Sequence, residues 1–155
     1  MILFSVITSL LSLIFALVLI YFIRRYPAGT GKQLLIWQAL KEGSRAYLKR
    51  QNYTVSFVAA ALVIILWLVF NLSTAVGFLV GAVASALAGY FGMMTAVDTN
   101  VRTAEAARNG LSRAFKVAFL GGSVTGFLVV GLGLFSVKKL VEEAGEVQTA
   151  TNMVE

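Results

Sequence analysis

The stretch AVGFLVGAVASALAGYFGMMTAV, residues 75–97, decides the fold. It holds no Asp, Glu, Lys or Arg, and it is about as long as the roughly 20 residues that cross a bilayer's hydrocarbon core as a helix. Gly77, Gly81, Ser85 and Gly89 recur every fourth residue, with Ala84, Ala88 and Gly92 as a second ladder one step round the helix. After the connector DTNVRTAEAARNGLSRAFK, residues 98–116, the run VAFLGGSVTGFLVVGLGLFSV, residues 117–137, repeats the pattern with Gly122 and Gly126, Gly121 and Thr125 lying beside them. Lipid gives membrane helices no hydrophobic reason to associate, so close backbone approach across small residues supplies the contact energy. The two runs are expected to be antiparallel neighbours, with the stripe of Gly81, Ser85 and Gly89 meeting Gly122 and Gly126.

Composition points the same way. Of the 155 residues 59% are hydrophobic and 13% charged, where soluble domains carry roughly 25%; the mean hydropathy is +0.85. With no cysteine, disulfides and thiolate chemistry are excluded, and with no histidine so are His bases and His-ligated metals. The fold class is expected to be all-α membrane protein: four transmembrane helices with a short cytoplasmic amphipathic helix.

Residues 1–23 form the first span. Its basic residues, Arg24 and Arg25, follow the apolar run, the reverse of a signal peptide's order, so the span is expected to be retained. The connector 24–52 opens on the turn PAGTG and continues as an amphipathic helix with Ile36, Leu40 and Tyr47 near one face, Trp37 and Leu48 beside them, and Lys41, Glu42, Arg45 and Lys49 as polar neighbours. That pattern suits the membrane surface or other cytoplasmic segments. The second span is 53–72, anchored at the interface by Tyr53 and Trp67. Asn71 to Thr74 leaves room only for a tight hairpin into the third span, 75–97. Asp98 belongs at the interface, because mid-membrane it costs about 2.5–3.5 kcal/mol. After the connector 98–116 and the fourth span 117–137 comes a tail, 138–155, expected to be external, polar and too short to fold alone.

Seven basic residues in the first connector and four in the second put eleven of the thirteen Lys and Arg on one side, with Lys138 and Lys139 opposite. Positive charge stays cytoplasmic, so both ends of the chain are expected on the external side of the cell membrane. The rule alone accounts for the basic charge, so nucleic acid is not expected as a partner.

Asp98 and Glu105, seven apart, share a helix face and would suit magnesium together with a phosphate. Each has an arginine at helical spacing, Arg102 and Arg108, and ion pairing is the expected fate. The spans carry no charged residue between their ends, where ion relays need one. No catalytic, cofactor-binding or metal-binding residue is therefore assigned.

One resemblance goes further. Gly89-Tyr90-Phe91-Gly92-Met93, then Asn100-Val101-Arg102-Thr103-Ala104-Glu105-Ala106-Ala107-Arg108, Ala114 to Phe119 and Gly121 to Phe127 resemble the membrane-integral, ion-pumping inorganic pyrophosphatases. Glu42 to Gln51 is similar to that family's first cytoplasmic segment. The resemblance implies a pump that couples hydrolysis of pyrophosphate to export of H+ or Na+, with Mg2+ and, in some members, K+ as cofactors. As partners it implies the lipid bilayer, the remaining helices of a much longer chain, and a second copy in a homodimer. The family's acidic D-x-x-x-D ligands match nothing here, so the chain reads as an N-terminal scaffold fragment, inactive alone. The alternative is a small non-catalytic four-span protein acting as a packing or assembly subunit.

Overall fold

A computed structural model describes the backbone of residues 2–152 and the side chains of residues 3–137. It contains four helices: α1 (Ile2–Arg24), α2 (Lys32–Val69), α3 (Leu72–Ala107) and α4 (Leu111–Asn152). All four are long and apolar enough to cross a membrane. The chain is a multi-pass all-α membrane protein.

The helices are longer than the spans within them, and the reason is local. Nothing between Lys32 and Val69 breaks a helix: there is no proline, and Gly43 costs only about 1 kcal/mol against alanine. The amphipathic segment and the second span are thus one rod of 38 residues, about 57 Å at 1.5 Å per residue. The segment expected as a short amphipathic helix is the polar first half of α2, continuous with the apolar half. Likewise α3 carries on past Asp98 to Ala107, and only Arg108 to Gly110 interrupt the second connector. Gly110 sits at φ +111°, a backbone conformation that side-chain-bearing residues rarely adopt, and this turns the chain into α4. α4 in turn continues beyond Val137 to Asn152, across much of the segment expected as a tail. At the other end, the tight hairpin is present. Asn71 caps α3, its side-chain oxygen accepting from the Thr74 amide at 2.8 Å and the Thr74 hydroxyl at 2.7 Å.

The helices form a row in the order α1, α4, α3, α2; α1 barely touches α3 and does not meet α2. The α1–α4 contact holds the apolar core, Ala16, Leu19, Ile23, Val124 and Leu128, with the Phe15 and Phe127 rings 5.2 Å apart at its edge. Ser9, fully buried, donates to the Gly131 carbonyl at 2.7 Å and ties the far end of that contact.

The small residues pack, but not along the expected stripe. A Cβ built on Gly81, Gly89, Gly122 or Gly126 would meet nothing within 4 Å. The close approaches are at Gly92, 3.1 Å from the Thr125 methyl, at Gly121 against Thr99, and at Gly131 against Leu13 and Ser12. The physical reason is periodicity. Steps of four drift by about 40° each at 100° per residue, whereas a seam facing one partner alternates steps of three and four. On α4 the buried residues Ala114, Val117, Gly121, Val124, Leu128 and Gly131 follow that alternation along the side enclosed by both neighbours: Gly121 meets Thr99 of α3, while Val124, Leu128 and Gly131 meet α1. On α3 the buried Gly92, Thr99 and Ala106 lie seven apart. The second ladder, Ala88 and Gly92, is the one that faces α4. The first turns toward the side of α2.

Candidate functional site

The polar side chains gather at the connector end, where the polar first half of α2 lies against the end of α3. Asp98 is the centre. The Trp37 indole Nε1–H donates to Asp98 Oδ1 at 3.1 Å, and the Lys41 ammonium lies 3.7 Å from the same oxygen. Trp37 and Lys41 are one helical turn apart on α2, so Lys41 Nζ also rides over the indole ring, 4.5 Å from its centroid. One carboxylate thereby holds two side chains of the neighbouring helix.

Arg102 does not pair with the Asp98 carboxylate, contrary to the reading of their spacing. Its Nη1 donates to the Asp98 backbone carbonyl at 2.6 Å and its Nε to the Tyr26 carbonyl at 3.2 Å. The reason is competition: Trp37 and Lys41 take Asp98 Oδ1, and the carbonyls at the end of α1 need donors. Arg102 links the α1–α2 turn to α3. The second expected pair is present, with Arg108 Nη1 3.5 Å from Glu105 Oε2.

Beneath them, Gly29 at φ +79° brings the turn against both Gln33 and Glu105. A Cβ there would collide with the Gln33 amide and stand 3.1 Å from Glu105 Oε2, so the glycine is required twice over. Gln33 Oε1 and Glu105 Oε2 are buried acceptors without a hydrogen-bond partner. Turning the Gln33 amide over would place its NH2 at that spot as a donor.

Chemically this is a clamp. Asp98 and Glu105 stand about 10 Å apart along α3 at 1.5 Å per residue, each with cationic or N–H partners of its own. Among the described residues no three His, Cys, Asp or Glu side chains come together to hold a metal. The described residues therefore do not fit the Mg2+ that the resemblance implies. Arg24, Arg25, Lys32, Arg45, Lys49, Arg50, Arg113 and Lys116 are all exposed at this end. The sequence signalled Asp98, Arg102 and Glu105. It gave no sign of Trp37 or Lys41 as their partners, since contacts 61 and 57 positions away have no helical spacing to read.

Residues 10–155 match the family model described as inorganic H+ pyrophosphatase. The chain is 46% identical over 134 residues to a K+-insensitive pyrophosphate-energized proton pump of Methanosarcina mazei, covering 85% of this chain and 20% of the relative. It is 41% identical over 133 residues to the K+-insensitive pyrophosphate-energized proton pump 2 of Moorella thermoacetica, covering the same shares. A Clostridium tetani chain provisionally named a K+-stimulated pyrophosphate-energized sodium pump is 41% identical over 126 residues, covering 81% of this chain and 19% of the relative. The chain thus spans about a fifth of the length of the curated relatives it matches.

Proposed function

The chain belongs to the inorganic H+ pyrophosphatase family, and on that premise we propose that it is the N-terminal scaffold portion of a membrane pump that couples pyrophosphate hydrolysis to export of H+ or Na+. The observation that carries this reading is the family match over residues 10–155, joined to a span of only a fifth of the relatives' length. What the residues themselves supply is support: a small-residue seam between α3 and α4 and a clamp between α2 and α3. Of the two engaged carboxylates, Asp98 ties α2 to α3 and Glu105 pairs with Arg108 at the end of its own helix. Pyrophosphate, Mg2+, K+ in some members, and the second copy of a homodimer would be met by parts of the pump outside the matched fifth.

The test is a chimera in which residues 10–155 replace the matching segment of the Methanosarcina mazei pump. Mg2+-dependent phosphate release and H+ uptake into vesicles are expected from the chimera. The isolated chain is expected to release no phosphate above a heat-killed control, because phosphoryl transfer needs metal-held phosphate oxygens and a positioned water. A chimera that elutes and melts like the parent pump but is inactive sinks the scaffold reading in favour of the four-span assembly subunit. Phosphate release by the isolated chain sinks the prediction that it is inactive.

We further propose that the connector end is cytoplasmic and both chain ends external, since eleven of thirteen basic residues lie in the connectors. Single cysteines at Thr30, Asn109 and Thr149 are clean probes in a chain without native cysteine. An impermeant thiol reagent on intact cells is expected to label Thr149→Cys alone. Labelling at Thr30→Cys but not at Thr149→Cys reverses the orientation.

A further inference from the structure

α2 ends the row, and none of its most apolar stretch is buried. Yet α2 does not stand clear of its neighbour. Between α2 and α3 runs an open groove of about 710 Å3, with Val55, Ala59 and Leu62 on one wall and Ala82, Ser85 and Gly89 on the other. Among the described residues, nothing beyond the adjoining backbone of α3 comes within 4 Å of the place a Cβ on Gly89 would take, so part of the groove's floor is bare backbone.

Two features say what chemistry fills it. The hydroxyls of Thr8, Ser123 and Ser136 are each satisfied by the carbonyl four residues back, at 2.8, 2.9 and 2.8 Å. Ser85, on the groove wall, makes no such bond among the described residues. An acyl chain lying over Ser85 would offer its hydroxyl no partner in a medium without water, whereas a helix brings polar side chains of its own and gains from close approach to a glycine floor. The relatives supply the occupant: four-fifths of their length lies outside the match.

We propose that this groove seats a transmembrane helix from the remaining four-fifths of the pump, its backbone against Gly89 and one of its polar side chains hydrogen-bonded to Ser85. The proposal rests on the scaffold reading and names the surface through which the scaffold engages the rest.

A membrane-soluble diazirine, photolysed in proteoliposomes and mapped by peptide mass spectrometry, tests it without altering the groove. In the isolated chain, Val55 and Leu62 on the groove wall and Phe57 and Leu68 on the outer face are all expected to take label; the last two are each 76% exposed. In the chimera, Val55 and Leu62 are expected to lose most of their label while Phe57 and Leu68 keep theirs. Equal labelling in both proteins means the groove holds lipid and overturns the proposal. Protection already present in the isolated chain, with concentration-dependent cross-linked dimers, overturns it in favour of a second copy.

Phosphate release measured on the same chimera separates the two claims. An active chimera with a labelled groove defeats the groove assignment alone. An inactive chimera with a protected groove defeats the scaffold reading alone. Gly89→Leu adds a second readout: unchanged melting in the isolated chain, and loss of most phosphate release in the chimera. If Gly89→Leu is harmless in both, no helix lies against Gly89 and the assignment falls.

Discussion

Replacing Gly121 by leucine is expected to lower the detergent melting temperature of the chain, whereas the same change at Gly122 is expected to leave it unchanged or raise it slightly. Gly121 is buried on the α4 seam, and a Cβ there would stand 2.8 Å from Thr99 Oγ1 and 2.9 Å from Thr99 Cβ. Thr99 has no room to withdraw: it is 4% exposed and its hydroxyl is tied to the Thr95 carbonyl at 2.7 Å. The two helices must therefore separate, disturbing α4 one turn before Gly121, where Val117 is fully buried. Overpacking of this kind costs about 1–3 kcal/mol, a large share of a marginal stability of about 5–15 kcal/mol.

Gly122 is the appropriate control because both substitutions gain the same helix propensity, up to about 1 kcal/mol over glycine, while a Cβ on Gly122 meets nothing. The difference between the two variants isolates the contact. Combining Gly121→Ala with Thr99→Ala removes the threonine atoms the new methyl strikes first, so the pair is expected to be less destabilised than the sum of the singles. Contacting residues typically couple by about 0.5–3 kcal/mol. If Gly121→Leu melts like Gly122→Leu, α3 and α4 do not meet at Thr99.

The reach of the sequence and its limit both show in that pair of glycines. The four spans and the small-residue character of the α3–α4 contact are readable because lipid leaves few other uses for glycine every fourth position. Which ladder faces the partner is not. Gly89 and Gly92 are three residues apart, about 60° round the helix, and only the position of α4 makes Gly92 the buried one. The buried side of α4, which α1 and α3 share, becomes visible once steps of three and four are sought together, as in Val117, Gly121, Val124 and Leu128. The connector end was harder still. Spacing of i,i+4 proposed Asp98 with Arg102, and the local pair lost to groups brought in by α2, whose straight run from Lys32 into the membrane no charge pattern announces. An ion pair read from helical spacing holds only where no other helix offers the carboxylate a better partner. Glu105 keeps Arg108, because what α2 brings beside it is the neutral Gln33 and not a cation.

That competition sets the last expectation, at Asp98. Asp98→Ala removes the acceptor of the Trp37 indole and the counter-charge of Lys41 together. The Asp98 and Lys41 side chains are 25% and 29% exposed, so water screens the ion pair and its share is small, about 0–1 kcal/mol. The indole N–H to carboxylate bond is the stronger link, since hydrogen bonds to charged groups contribute about 1.5–3 kcal/mol. Discounted for the same exposure, the whole substitution is expected to cost about 1–2 kcal/mol. Asp98→Asn should cost less, because its amide oxygen still accepts from Trp37. The local readout is Trp37 fluorescence in a Trp67→Phe background, which leaves one tryptophan. Asp98→Ala is expected to shift its emission to longer wavelength as the indole leaves α3 for water; Asp98→Asn is expected to shift it little. Arg102→Ala distinguishes the two accounts of Asp98. If the carboxylate pairs with Arg102, that variant strips Asp98 of its partner and should match Asp98→Ala in both melting and emission. With Arg102 bonded instead to the carbonyls of Tyr26 and Asp98, it should loosen the α1–α2 turn while Trp37 stays in place. Unchanged emission in Asp98→Ala would mean that the bond between Trp37 and Asp98 does not hold α2 to α3.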